Sequence, residues 1–264
     1  MLTLSTKGRT IMKKKILAMC LCIAMLAIAI VGGTLAYFTD TDEATNTFTT
    51  AKVNIALNEQ QRGENGLEAY VNEGKVLYPI VGSAQGEKDE MGMPTAANYI
   101  DKIITIKNLE DSTDAYVRLY IAIPTALDNA TNAGKNVLHF NFGNKFETGE
   151  YTAADHANWG TETLLVTDYT INKVAYNIYY RDYNKIMAAD SETGSAAYVG
   201  FYLDENVDYD NVNGYYTING EKIDFDFTEG VNIPVYAVGV QAAGFDTAAA
   251  AVDAAFGQNF NPFN

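Results

Sequence analysis

The sequence is poor in the residues that carry most enzyme chemistry. Its 264 residues include two histidines, two cysteines, five prolines and one tryptophan. Both cysteines, Cys20 and Cys22, precede all 18 tyrosines. From Tyr37 onward the chain therefore has no disulfide, no thiolate metal site and no cysteine nucleophile.

Acidic residues are absent from the first 36 residues, which contain five lysines and arginines. The remaining 228 residues contain 13 basic and 33 acidic groups, so their formal charge is 13 − 33 = −20. This charge repels phosphate backbones and anionic lipid surfaces, so we expect neither nucleic acid nor a membrane as a partner after processing. A chain of this length is long enough for one large β domain with its own core.

The start of the chain has the features of a targeting segment. Three lysines follow Met12, and an unbroken apolar run extends from Ile16 to Val31. The run is shorter than the roughly 20 residues that span a bilayer, and small residues follow it as far as Ala36. We predict a signal peptide over residues 1–37, with Met12 as the more natural start, and a secreted domain over residues 38–264. An uncleaved membrane anchor is the alternative.

Apolar and polar residues alternate with a period of two from Thr47 onward, which is typical of half-buried strands. Short segments of β-branched and aromatic residues are separated by Gly, Asn and Asp. This pattern predicts an all-β fold, an antiparallel jelly-roll or immunoglobulin-like β-sandwich, after an N-terminal signal helix. The predicted strands are Val53–Leu57, Tyr99–Lys107, Ala115–Ile123, Tyr169–Tyr180, Ala197–Leu203, Tyr215–Asn219, Lys222–Phe227 and Ile233–Gln241.

A short alanine-rich helix is predicted near the C-terminus. Asp246-Thr247 forms its expected cap, residues 248–255 its body and Gly257 its stop. The face expected to pack on a sheet consists of Phe245, Ala249, Val252 and Phe256.

Three stretches rich in turn residues, 58–98, 128–158 and 188–196, are expected to be surface loops. Both histidines, His139 and His156, fall in such loops and are expected to face solvent. They are seventeen residues apart, which does not fit the His-Glu-x-x-His motif of zinc proteases. The chain also lacks a Gly-x-Ser-x-Gly turn and a Gly-x-x-x-x-Gly-Lys phosphate loop, so we expect no enzyme activity.

One acidic segment has the spacing of a calcium loop. Asp204, Asn206 and Asp208 follow the Asp-x-Asn-x-Asp pattern, and Asp210 continues it. The glycine that an EF-hand requires next is Tyr209, so a solvated acidic loop is the alternative. Weak Ca²⁺ binding by these residues is a hypothesis, and we expect no other cofactor.

Two strongly aromatic segments, residues 116–123 and 174–180, contain little charge. Such segments are typical of central strands that are covered on both faces. The alternative is that a sheet edge stays open for a strand of another chain.

The segment Gly-Gly-Thr-Leu-Ala-Tyr-Phe-Thr-Asp-Thr-Asp, residues 32–42, is followed by Asn-Thr-Phe-Thr at 46–49. This block resembles the signal region of the TasA/camelysin family, which Gram-positive bacteria export and a SipW-type signal peptidase processes. The resemblance extends over residues 13–57; beyond them it consists of strand order, overall length and the Ala-Tyr-Val-Arg strand at 115–118. It implies processing close to Ala36, Tyr37 and Phe38.

The resemblance further implies a jelly-roll sandwich secreted to the extracellular matrix or cell surface of a Gram-positive bacterium. It implies fibres in which the N-terminal segment of one subunit completes the sheet of its neighbour, with Phe38 to about Val53 as donor. The expected partners are therefore other copies of the chain and, during export, the SipW-type peptidase. One alternative is a monomeric surface module that binds a ligand or glycan through its long loops. A camelysin-like metalloprotease is the least favoured.

Overall fold

The computed structural model describes residues 52–64, 66–72, 75–77, 79, 99–128, 137–141 and 158–264. The chain divides into two units, residues 1–51 and 52–264, and the following description concerns the second. The predicted signal helix, the processing residues Ala36, Tyr37 and Phe38, most of the predicted donor segment and His156 lie outside the described residues.

The described residues form strands of two to ten residues and one helix. The strands are β1 (Ile55–Gly63), β2 (Gly66–Ala69), β3 (Ile100–Asn108), β4 (Ala115–Pro124), β5 (Leu138–Asn141), β6 (Thr163–Ile171), β7 (Val174–Asp182), β8 (Ser191–Glu192), β9 (Tyr198–Leu203), β10 (Val207–Asp210), β11 (Tyr215–Ile218), β12 (Glu221–Lys222) and β13 (Val235–Gln241). The helix, α1, is Ala248–Phe256, and single 3₁₀ turns occupy Thr125–Leu127 and Phe227–Glu229.

These strands form three sheets, and all pairings between strands are antiparallel. The first sheet has the order β2-β1-β3-β9-β5, with β8 paired to β3. The second has the order β13-β4-β7-β6, and the small third sheet has the order β10-β11-β12. The all-β, antiparallel prediction is therefore confirmed.

The main core lies between the first and second sheets, as in a β-sandwich. Ile104 and Ile106 of β3 belong to the same buried cluster as Leu119 and Ile121 of β4. All ten residues of β4 are buried, because Val117, Leu119, Ile121 and Ile123 face the core while the alternate residues Tyr116, Arg118 and Tyr120 face α1. β4 is thus a central strand covered on both faces, as its aromatic, nearly uncharged sequence predicts.

The boundaries of α1 agree with the predicted cap and stop. The Thr247 hydroxyl oxygen accepts a hydrogen bond from the Ala250 N–H at 3.1 Å, and Gly257 ends the helix at φ 89°. The predicted packing face was wrong at Ala249, which is exposed. The helix buries Val252, as predicted, together with Ala248 and Ala251, and Phe245 and Phe256 pack against the same cluster. A run of alanines gives no hydrophobic contrast that could fix the face.

Two strand predictions and the three loop predictions need correction. The single strand predicted over 169–180 is a hairpin, in which Asn172 and Lys173 adopt φ 49° and 73° between β6 and β7. The strand predicted over 222–227 is paired only at its start, in β12. The predicted loops 58–98, 128–158 and 188–196 each contain paired segments, namely the end of β1 with β2 in the first, β5 in the second and β8 in the third.

Candidate functional site

The two edges of the second sheet differ in how they are protected from further pairing. Edge strand β6 pairs with β7 through two register shifts, and its Asp168 has φ 54°. Bulges and charges of this kind blunt an edge against another strand. Edge strand β13 instead pairs with β4 over seven consecutive residues without a shift, and its sequence, VYAVGVQ, contains no charge. β13 is therefore a long, regular and uncharged edge.

The hydrogen bonds at the ends of β13 show which of its backbone groups face outward. The Ala122 N–H donates to the Pro234 carbonyl at 2.9 Å, and the Ala242 N–H donates to the Asp114 carbonyl at 2.8 Å. Alternate residues of an antiparallel strand bond the same neighbour, so the even-numbered residues from 234 to 242 bond β4. The N–H and C=O groups of residues 235, 237, 239 and 241 point away from it, and no described strand pairs with that side.

The N-terminal end of the described chain lies against β13. The Lys52 carbonyl accepts a hydrogen bond from the Thr113 N–H at 2.8 Å. A Cβ placed on Gly239 would lie 2.9 Å from a methyl carbon of Val53 and 2.9 Å from one of Ile55. Only a glycine leaves room for these side chains on the inner face of β13. Val53 and Ile55, near the start of the described chain, therefore pack on the inner face of β13.

A buried arginine fixes α1 to the outer face of the same sheet. Arg118 donates to both carboxylate oxygens of Asp182, at 2.6 and 3.0 Å, and to Asp253 of α1 at 3.1 Å. Its guanidinium also lies 4.2 Å from the centre of the Tyr180 ring. Burial lowers the pKa of Arg118, but the hydrogen bonds and charge of Asp182 outweigh burial and raise that pKa. Arg118, the last residue of the Ala-Tyr-Val-Arg motif, thus has a structural role.

Of the predicted calcium residues, Asp204 and Asn206 bond each other, whereas Asp208 and Asp210 bond other nearby residues of the chain. One Asp204 oxygen accepts from the backbone and side chain of Asn206, at 2.9 and 2.8 Å, and the other lies 2.9 Å from the His139 ring. The Asp210 carboxylate accepts from the backbone and side chain of Asn213, while Asp208 accepts from the N–H of the next residue. Calcium binding by this segment stays a prediction.

His139 does not lie in a solvent-facing loop. It is part of β5, its side chain is 23 % exposed, and its ring stacks on Tyr202 at 5.0 Å and 15°. Burial raises the pKa of Asp204, but the Asn206 N–H and the His139 ring outweigh it and hold that pKa below its usual value. His139 therefore pairs with a carboxylate and packs on an aromatic ring.

Two neighbouring clefts, each of about 540 Å³, open on the surface. The first contains Tyr70, with the Lys102 ammonium 4.7 Å above its ring, and Lys102 also pairs with Glu59 at 3.0 Å. The second is lined by residues of β10 to β12 and by the segment after them; Tyr216 and Phe227 border both clefts. The sequence analysis missed these clefts, although aromatic residues recur between 209 and 227.

A family model described as camelysin metallo-endopeptidase matches residues 11–62. The match confirms the resemblance to the TasA/camelysin family over the N-terminal segment, and it ends inside β1. No curated protein and no solved structure matches the chain. Among the described residues, no helix is both long and apolar enough to span a membrane.

The description of that family implies a catalytic metal. Within the part of the chain that the structure describes, no three His, Cys, Asp or Glu side chains are grouped so that they could hold one. His139, the histidine in this part, is held by Asp204 and Tyr202. The described residues therefore do not fit a zinc protease centre, which needs three protein ligands around an open position.

Proposed function

We propose that this chain is a secreted, non-enzymatic structural protein of the extracellular matrix or cell surface of a Gram-positive bacterium. In this proposal a SipW-type peptidase removes residues 1–37, and the exported subunits polymerise by strand addition. The N-terminal segment of one subunit pairs with the β13 edge of the next. The observation that carries the proposal is the long, regular and uncharged edge of β13.

The segment before the sandwich is long enough to act as the donor. Residues 38–51 number fourteen, whereas β13 offers seven residues for pairing. A seven-residue partner strand extends over roughly 23 Å. Asn46-Thr47-Phe48-Thr49-Thr50 contains the β-branched and aromatic residues that favour strands. The family model matches residues 11–62, which include the proposed donor segment. This match supports the proposal that the donor segment is an element shared by the family.

Charge opposes this assembly at low ionic strength. Subunits with a formal charge of −20 repel each other, and salt shortens the range of that repulsion from about 30 Å at 0.01 M to about 8 Å at 0.15 M. Divalent cations screen it further. We therefore expect fibres to form faster and more completely at physiological salt than at low salt.

The test is negative-stain electron microscopy of residues 38–264 at both salt concentrations, with a matched pair of edge variants. Tyr236 of β13 is 46 % exposed and Leu164 of β6 is 47 % exposed, on opposite edges of the same sheet. Tyr236→Glu and Leu164→Glu each add one negative charge to an edge. We expect Tyr236→Glu to abolish the fibres and Leu164→Glu to leave them intact.

A second arm removes the donor. Deletion of residues 38–46 should abolish fibres while circular dichroism and thermal unfolding of the sandwich remain unchanged. Fibres that persist after the deletion, or that are lost equally in both edge variants, would refute strand donation to β13. Dispersed monomers under every condition would refute the structural role and favour the surface binding module.

A further inference from the structure

The second cleft is an open groove lined by aromatic residues and is large enough for a small ligand. Its volume of about 540 Å³ lies within the range of roughly 300–1,000 Å³ that is usual for small-ligand pockets. Such pockets combine aromatic walls with a few polar groups that fix orientation. All of its lining residues belong to the segment from Tyr209 to Thr228.

Four aromatic rings follow one another along this cleft. Tyr209 of β10 is directly opposite Tyr216 of β11, and their ring centres are 5.0 Å apart. Tyr216 lies 4.6 Å from Phe227, which lies 5.0 Å from Phe225. Tyr209 and Tyr216 remain 43 % and 36 % exposed. A row of partly exposed rings presents several stacking surfaces in succession to a linear ligand.

The polar groups give the cleft a negative character. Asp224 is exposed and has no hydrogen bond or ion pair with another described residue. Asp226 accepts hydrogen bonds from the backbone and hydroxyl of Thr228, at 2.9 and 2.6 Å, and these lower its pKa. The lining contains one cation, Lys222, whose ammonium lies 5.4 Å from the Tyr215 ring centre.

We infer that this cleft binds a linear amino-polysaccharide whose sugars carry free, protonated amino groups. The C–H faces of the pyranose rings stack on the aromatic row, and the ammonium groups are attracted by the ring faces and by Asp224. The same field repels acidic polysaccharides, because the exported chain has a formal charge of −20. The aromatic row thus supplies the contact area, and the carboxylates select the charge of the sugar.

The experiment is isothermal titration of residues 38–264 with three soluble oligosaccharides: glucosamine oligomers, N-acetylglucosamine oligomers and galacturonic acid oligomers. We expect the glucosamine oligomers to bind most tightly, the acetylated ones more weakly and the acidic ones not at all. Tyr209→Ala and Tyr216→Ala should each weaken binding of the glucosamine oligomers about two- to fivefold, as expected for loss of one exposed cation–π contact. Asp224→Asn should weaken binding of these oligomers but not of the acetylated ones.

Leu164→Ala is the control, since Leu164 is a similarly exposed apolar side chain that lies outside this cleft and outside the β13 edge. The affinity of this control variant for glucosamine oligomers should equal that of the parent chain. The inference is overturned by absence of heat with glucosamine oligomers, by equal or tighter binding of the acetylated or acidic oligomers, or by equal losses in Leu164→Ala and Tyr216→Ala. Because the cleft consists of residues 209–228, we expect the same affinities in the chain that lacks residues 38–46, where polymerisation cannot affect the result.

Discussion

Replacement of Arg118 by methionine should destabilise the sandwich strongly, because the change leaves the largely buried carboxylate of Asp182 without its partner. The Arg118 side chain is 3 % exposed and that of Asp182 is 16 % exposed. Removing one member of a buried ion pair costs about 3–5 kcal/mol, since the remaining charge is still desolvated. A domain of ordinary stability, roughly 5–15 kcal/mol, would lose a large share of its unfolding free energy.

The structure also ranks two milder changes. Asp253→Asn removes a charge that is 31 % exposed and leaves the Arg118–Asp182 pair intact, so a loss of about 1 kcal/mol is expected. Lys52→Met breaks an ion pair whose side chains are 57 % and 51 % exposed, for which losses are usually below about 1 kcal/mol. The expected order of destabilisation is Arg118→Met, then Asp253→Asn, then Lys52→Met.

The measurement is equilibrium unfolding in urea, followed by tryptophan fluorescence. Trp159 is the only tryptophan in the chain, is 3 % exposed and packs edge-on against Tyr183 at 5.1 Å, so its emission reports loss of the core. A loss of less than about 1 kcal/mol for Arg118→Met would contradict the assigned role, because that is the magnitude of a surface pair. Equal unfolding free energies of Lys52→Met and Arg118→Met would also contradict the role assigned to Arg118.

Two further predictions concern packing and pH. A Cβ on Gly200 would lie 2.5 Å from the Tyr99 ring and closer still to the Ile100 carbonyl oxygen, so overpacking in Gly200→Ala should cost about 3 kcal/mol of unfolding free energy. A Cβ on Gly160 would lie 3.4 Å from its nearest neighbour, so Gly160→Ala should be neutral or slightly stabilising in the same urea assay. The lowered pKa of Asp204 stabilises the fold above the unfolded-state value of about 3.9, and this contribution disappears as the pH falls through the folded-state pKa. Unfolding free energies at pH 6 and pH 3 should therefore differ less in Asp204→Asn than in the parent chain, and an identical pH dependence in the two proteins would contradict the assignment.

The sequence predicts the elements of this fold better than its edges. Alternation around Val117, Leu119 and Ile121 locates β4, and Thr247 with Gly257 locates α1, because these signals are local. The hairpin turn at Asn172-Lys173 escaped detection, since lysine is not typical at a position with positive φ. Which strand lies at an edge depends on pairing between residues far apart in the sequence. The segment 233–241 identifies β13 as a strand but does not reveal that one of its sides lacks a described partner.

The proposed assembly edge and the proposed polysaccharide cleft can be tested separately because they share no residue. β13 consists of residues 235–241, whereas the lining of the cleft ends at Thr228. Tyr236→Glu should therefore abolish fibres without changing the affinity for glucosamine oligomers, and Tyr216→Ala should do the reverse. If Tyr216→Ala also abolished fibres, the aromatic row would be part of the subunit interface rather than a free binding surface. If both proposed surfaces are functional, the protein would connect a protein fibre to a polysaccharide of opposite charge. Binding of this cationic polysaccharide would also reduce the electrostatic repulsion between the acidic subunits.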